Sequence, residues 1–235
     1  MERYENEKDR IGNLLLDSSE EEIKSMVSSM QLLMTYYKCA MHEIEAKFRV
    51  LNEEFSLQHE RNPIESIKTR LKNVDSIRHK LTKKYDCEMT PQNIWDNLND
   101  VAGIRVVCSF IDDIYMLADC LTSQDDVKVI AKKDYIKNPK ENGYRSLHLI
   151  IEVPIFLCNE KRCVKAEVQF RTIAMESWAK LEHRMRYKKE LRDDLLEATH
   201  DKLLECAELS TLLDLKMQDI RDIIEGCPLE EPKKQ

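Results

Sequence analysis

Leu147-His148-Leu149-Ile150-Ile151-Glu152-Val153 and Val164-Lys165-Ala166-Glu167-Val168-Gln169-Phe170-Arg171 are the two runs whose reading decides the fold. In the first, Leu147, Leu149, Ile151 and Val153 alternate with Ser146, His148, Ile150 and Glu152. In the second, Val164, Ala166, Val168 and Phe170 alternate with Lys165, Glu167, Gln169 and Arg171. A period of two is the signature of a strand with one buried face, so the pair reads as a hairpin joined near Cys158. Upstream, Val101 to Phe110 is β-branched and apolar, Val127 to Lys133 reads as another strand, and Ile111 to Leu121 between them reads as a helix. Asn142-Gly143 marks a turn.

Helices flank this strand-rich centre. Residues 19 to 56 carry Met26, Met30, Leu33, Met34, Tyr37, Met41, Ile44 and Phe48 at three- and four-residue steps, a stripe that belongs to a core or a helix–helix contact. Asn62-Pro63 is expected to open a second helix running through Lys84, because proline suits a first helical position. Thr90-Pro91 opens a short helix to about Leu98, and helix returns from Ile173 to about Tyr187 and from Lys189 to Glu225. The expected fold is α/β (α+β), a mixed β-sheet of about four to five strands flanked by helices. Three regions are expected: an N-terminal helical extension (1–60), a central domain carrying the chemistry (61–188), and a C-terminal helical region (189–235) that frays from Pro228.

With 235 residues, 42% of them apolar and 34% charged, the chain is long enough for one mixed domain with helical extensions, or for two small domains. The most apolar run, Leu147 to Cys158, is interrupted by Glu152 and Pro154, so no membrane span is expected. The charged N-terminus lacks the apolar centre of a signal peptide, and the expected location is the cytoplasm. The eight cysteines are read as reduced thiols, including Cys158 and Cys163 at the hairpin tip. The net charge is −7, but the cations are concentrated. Arg61, Lys68, Arg70, Lys72, Arg78, Lys80, Lys83 and Lys84 crowd residues 61 to 84, and Lys128, Lys132, Lys133, Lys137, Lys140 and Arg145 form a second stretch. An acidic protein with two basic pockets suits small phosphorylated ligands better than a long nucleic acid. A solvated, charge-patterned surface is the other reading of the same runs.

Only four glycines are present, Gly12, Gly103, Gly143 and Gly226, so neither a P-loop nor a Rossmann fingerprint can be built. Phosphates must then be held by side chains and a metal. Asp100 directly precedes the strand starting at Val101, and Glu167 lies mid-strand on the face opposite Val164, Ala166, Val168 and Phe170. A mid-strand carboxylate is costly to bury unless it is paired or binds a cation. Two carboxylates from separate strands suit Mg²⁺, which fills its shell with water and phosphate oxygens. The alternative is a solvated sheet face made of Glu167, Gln169 and Arg171. The segment from Lys133 to His148 adds cations and Tyr144 at a glycine turn, where the ring can serve as a stacking plate.

Taken together, these runs resemble the RelA/SpoT-type synthetase domain, and in particular the stand-alone small alarmone synthetases. The resemblance rests on Thr69-Arg70-Leu71-Lys72 with Ser76 and Lys80, Asp100 to Arg105, Asn138-Pro139-Lys140 with Asn142 to His148, Glu167 to Thr172, and Trp178 to His183. It implies a nucleotidyltransferase-like synthetase fold and transfer of pyrophosphate from ATP to the ribose 3′-hydroxyl of GTP or GDP, giving (p)ppGpp. By the same resemblance Arg70 and Arg105 stack on the adenine of ATP, while Lys72, Ser76, Lys80, Lys83 and His183 line its phosphates. Tyr144 stacks on guanine. Lys133, Lys140 and Arg145 hold the acceptor's 5′-phosphates, with His148 and Gln169 nearby. Asp100 and Glu167 bind Mg²⁺, and Glu167 accepts the proton of the 3′-hydroxyl.

Two departures from the family pattern bear on acceptor preference. Lys133 stands where relatives often carry arginine, and Glu176 where they commonly have Asn or Asp beside guanine. His200-Asp201 lacks the surrounding chain that a hydrolase centre of longer relatives needs, so synthesis without hydrolysis is expected. Small family members assemble as homotetramers through flanking helices, so the resemblance implies a homo-oligomer. It also brings regulation by alarmone or single-stranded RNA, for which the sequence marks no site. A nucleotidyltransferase releasing pyrophosphate and a non-catalytic, oligomeric nucleotide- or RNA-binding module are the competing readings.

Overall fold

The computed structural model describes residues 20–59, 61–186 and 193–226. Helix α1 (Glu20–His59) leads into strand β1 (Ile64–Leu71), helix α2 (Val74–Lys80), a π-helical turn (Leu81–Tyr85) and helix α3 (Pro91–Asn97). Then follow β2 (Ala102–Cys108), α4 (Ile111–Thr122), β3 (Lys128–Asp134), β4 (Leu147–Phe156), β5 (Lys161–Thr172), α5 (Ile173–Arg186) and α6 (Asp193–Gly226). The five strands form one mixed sheet in the order β1-β2-β5-β4-β3. The β4–β5 hairpin is antiparallel, as the alternation requires, and β2 runs parallel to β5.

The alternation sorts residues onto two unlike faces. Leu147, Leu149, Ile151, Val164, Ala166, Val168 and Phe170 are fully buried on one of them, beneath α1 and α4. From α1, Tyr37, Ile44 and Phe48 reach that core, Phe48 meeting Phe170 edge-on at 5.6 Å. Met26, at the start of the methionine stripe, stays exposed. Along α4, Ile114, Leu117, Ala118 and Leu121 supply the complementary ridge. Helices α5 and α6 build a smaller cluster of their own from Trp178, Ala179, Leu203 and Ala207, with Tyr144 packed against it.

One expected element is different. Residues 64–71 form an edge strand instead of the first turns of a helix. Ile64, Ile67 and Leu71 have helical spacing, yet all three pack against the sheet core. A register shift between Ile64 and Ser66 in the pairing with β2 makes this possible, because one extra residue brings Ile64 onto the face of Ile67. The helix starts only at Val74, where the side chain of Asn73 accepts the N–H of Ser76 at 2.7 Å. Among the described residues no helix is long and apolar enough to cross a membrane. The tail from Pro228 lies outside the described residues.

Candidate active site

The second face of the sheet carries the polar residues. Strand register aligns Lys68, Arg105, Gln169, His148 and Lys133 as successive partners across all five strands. One step along the ladder, Arg70, Gly103 and Glu167 are aligned in the same way. A cavity of about 190 Å³ opens here, lined among others by Arg70, Asp100, Gly103, Arg105, Glu167 and Gln169. Beside it, a wider cavity of about 720 Å³ is lined by Lys72, Ser76, His79, Lys80, Lys83 and Lys84.

Asp100 stands at the border between the two. Its Oδ2 accepts from Lys72 Nζ and Lys80 Nζ, each at 2.8 Å. Its Oδ1 is buried and has no hydrogen-bond donor among the described residues. Burial disfavours the charge on Asp100, but the two lysines outweigh it and hold its pKa below the usual carboxylate value. Glu167 behaves alike: burial opposes ionisation, while His148 and Gln169 bring the pKa down. His148 Nδ1 lies 3.2 Å from Glu167 Oε1, and Gln169 Nε2 donates to Oε2 at 2.7 Å.

The contacts continue toward the helices. His148 Nε2 is 3.0 Å from the Tyr144 hydroxyl, and Arg171 Nη2 donates to that hydroxyl at 2.6 Å. An ionised carboxylate only accepts, so His148 Nδ1–H donates to Glu167, and its Nε2 meets the Tyr144 hydroxyl. Arg171 also donates to Glu176 at 2.7 Å. Glu176, only 4% exposed, meets Lys180 at 3.1 Å and Arg105 at 3.4 Å as well. Its burial opposes the charge, and Lys180, Arg105 and Arg171 together lower its pKa.

The structure therefore brings Arg70, Lys72, Ser76, Lys80, Lys83, Asp100, Arg105, Glu167 and Gln169 to two adjoining cavities. Tyr144, His148 and Glu176 join Glu167 through hydrogen bonds. Lys140 Nζ sits 4.7 Å from the Tyr135 ring centre and 4.9 Å from that of Tyr144. Lys133 is exposed on the edge strand, one partner from His148. His183 is exposed on α5 and lines neither cavity. Arg145 reaches the carbonyl of Ile136 at 3.0 Å and the hydroxyl of Thr211 on α6, away from Glu167.

Gly103, Arg171 and Tyr135 carry no role that their place in the sequence assigns. Two of these were signalled: a lone glycine inside a strand marks close approach, and the period-two count that selects Glu167 and Gln169 continues to Arg171. The edge-on contact of Tyr135 with His148, at 5.3 Å between ring centres, has no such sign. A cluster of cations around two carboxylates can neutralise a polyphosphate and hold a divalent metal, with an aromatic ring at one side for a base.

Comparison with known proteins agrees with this chemistry. Residues 69–192 match the family described as a region found in RelA / SpoT proteins. The chain is 43% identical over 201 residues to the GTP pyrophosphokinase YwaC of Bacillus subtilis (strain 168), covering 86% of this chain and 94% of that protein. The crystal structure of small alarmone synthetase 2 from Bacillus subtilis superposes with a TM-score of 0.70 at 42% identity, covering 80% of this chain and 96% of the other. That of small alarmone synthetase 1 from the same species, bound to its product pppGpp, gives 0.73 at 30% identity, covering 84% and 99%.

Proposed function

The chain belongs to the RelA/SpoT family, and on that premise we propose that it transfers pyrophosphate from ATP to the ribose 3′-hydroxyl of GTP or GDP, producing (p)ppGpp and AMP. The observation that carries the reading is that Asp100 and Glu167, 67 positions apart, line one cleft beside a lysine-rich cavity. The new bond joins the 3′-oxygen to the β-phosphorus of ATP. The bond from that phosphorus to the oxygen bridging to the α-phosphate breaks, and AMP leaves. Glu167 takes the proton of the attacking hydroxyl. Its depressed pKa keeps it ionised at neutral pH, as a base must be.

Arg70 and Arg105 hold the adenine, and Lys72, Ser76, Lys80 and Lys83 the ATP phosphates, with His183 exposed on α5 outside the lining of that cavity. Lys133, Lys140, Tyr144, Arg145, His148, Gln169 and Glu176 form the acceptor side. Asp100 and Glu167 suit Mg²⁺, because they are two carboxylates in one cleft and Asp100 Oδ1 has no hydrogen-bond donor among the described residues. A metal held by these two carboxylates would supply neutralisation of phosphate charge. The protein's share is positioning and charge compensation.

The same reading makes the protein a cytoplasmic synthetase without hydrolase activity and a homo-oligomer, tetrameric by family, that uses 189–235 for assembly. Its support is the exposed apolar face on α5 and α6, where Ile173, Leu181, Leu209, Leu213 and Met217 border a cavity of about 710 Å³. Incubation of pure protein with Mg²⁺, ATP and GTP, GDP or GMP tests the function. AMP together with a guanosine 3′-pyrophosphate is the expected outcome. Release of pyrophosphate from ATP would instead indicate nucleotidyl transfer, and nucleotide or RNA binding without turnover a non-catalytic module. Adding alarmone or single-stranded RNA to the same assay tests regulation, and light scattering during gel filtration counts the subunits.

A further inference from the structure

We infer that α6, a helix beyond the family-matched region, positions the acceptor-binding loop, and that Thr211 and Ala207 are the positioning residues. The inference rests on the reading of residues 135–146 as part of the acceptor site. That loop is closed on itself: Tyr135 N–H donates to Ser146 O at 2.9 Å, Gly143 N–H to Lys140 O at 2.8 Å, and Lys140 N–H to Tyr144 O at 3.1 Å. Asp134 Oδ1 accepts the N–H groups of Ile136 and Lys137, both at 3.0 Å, at the start of the loop. A loop so braced is rigid within itself, but its position in the molecule depends on what holds its outer side.

That side rests on α6. Gly143 is buried with φ of +83°, and a Cβ placed on it would lie 2.6 Å from the Cβ of Ala207. Helix and loop backbone therefore meet with no room for a side chain between them. Two residues on, the guanidinium of Arg145 bridges Ile136 O within the loop and Thr211 Oγ1 on the helix. The Thr211 hydroxyl donates its own proton to Ala207 O at 2.9 Å, so its oxygen faces Arg145 as an acceptor. Between these contacts, Tyr144 packs on Trp178, Leu203 and Ala207. The residue proposed to stack on guanine thus takes its position partly from α6. Ordering a binding element in advance removes that cost from ligand binding, so loosening this contact should weaken acceptor binding and leave ATP binding alone.

Steady-state kinetics on the full-length protein provide the test, with acceptor and ATP varied separately. Thr211→Val removes the hydrogen-bond acceptor of Arg145, and the acceptor KM is expected to rise about tenfold with the ATP KM unchanged. Thr211→Ser keeps the hydroxyl and is expected to restore the wild-type value. Ala207→Val, a crowding change at a different point of the same contact, is expected to give the same split, which keeps the test valid if Thr211→Val fails to fold. An unchanged acceptor KM in both variants, or an equal rise in both KM values, overturns the inference. Tyr144→Ala separates its failure from that of the underlying reading. If Tyr144→Ala raises the acceptor KM while the α6 variants do not, only the positioning role falls. If Tyr144→Ala also leaves that KM unchanged, the loop is not the acceptor site and both fall.

Discussion

Gly103 on β2 is the direct ladder neighbour of Glu167 on β5, in the parallel pairing of the sheet. A Cβ at Gly103 would approach the carbonyl oxygen of Arg70 to 3.3 Å, so the missing side chain leaves space between the arginine strand and the carboxylate. Gly103→Val suits strand propensity but fills the cleft and pushes on β1. Activity is expected to fall on the order of 10²-fold, the scale of an ångström-level misplacement of reacting groups. The melting temperature should drop by only a few degrees, about what ~1 kcal/mol produces in a domain of this size. Paired kinetics and thermal melts decide it, and full activity in this variant would show that the cleft does not need the space.

Glu167→Gln keeps the shape of the side chain and removes the base. We expect kcat to fall by roughly 10²–10⁴ with the ATP KM little changed. His148 and Gln169 both direct donors at this carboxylate, so the amide can satisfy only one of them well. A small loss of stability is therefore expected, without loss of fold. Circular dichroism alongside product analysis separates the two effects, and retained turnover would remove Glu167 from the proton-transfer step.

Asp100 balances Lys72 and Lys80 with one oxygen, and the other has no hydrogen-bond donor among the described residues. Asp100→Asn should raise the Mg²⁺ concentration needed for half-maximal rate by roughly tenfold or more. Chelation should stop turnover of the wild-type protein, and restored Mg²⁺ should recover it. Melting curves with and without chelator are expected to coincide, because hydrogen bonds and packing hold this cleft together. A chelator-resistant rate would refute the assignment of a metal to these carboxylates.

Glu176 ties Arg171, Arg105 and Lys180 together from a nearly closed position. Its folded pKa lies below the ordinary 4.5, so its ion pairs stabilise fully above that value and are lost as pH falls through the depressed one. Wild-type melting temperature should therefore decline in that acidic window. Glu176→Gln should lower stability at neutral pH by about 3–5 kcal/mol, the usual result of breaking a buried pair from one side, and should flatten the acid limb. Melts between about pH 3 and about pH 7 test both signs, and an unaltered acid limb would show that other carboxylates dominate it.

Alternation and helical spacing made most of the architecture readable from the amino acids alone. Period two in 147–153 and 164–171 marks strands because successive side chains must leave on opposite faces, and the buried set is apolar. The same count placed Glu167 on the polar face, and the motif series from Arg70 to His183 identified the family. The proline cue misled at 64–71, where Asn62-Pro63 opens an edge strand and not a helix, and a register shift lets that strand bury Ile64, Ile67 and Leu71 at odd spacing. Periodicity reports which residues of one segment share a face, but not which segments become neighbours. Only the tertiary fold laid β2 parallel to β5, bringing Asp100 and Glu167 to one cleft. Only it turned Arg145 onto Thr211 of α6 and buried Arg171 against Glu176. Those relations depend on long-range packing of the whole chain, which no local pattern encodes.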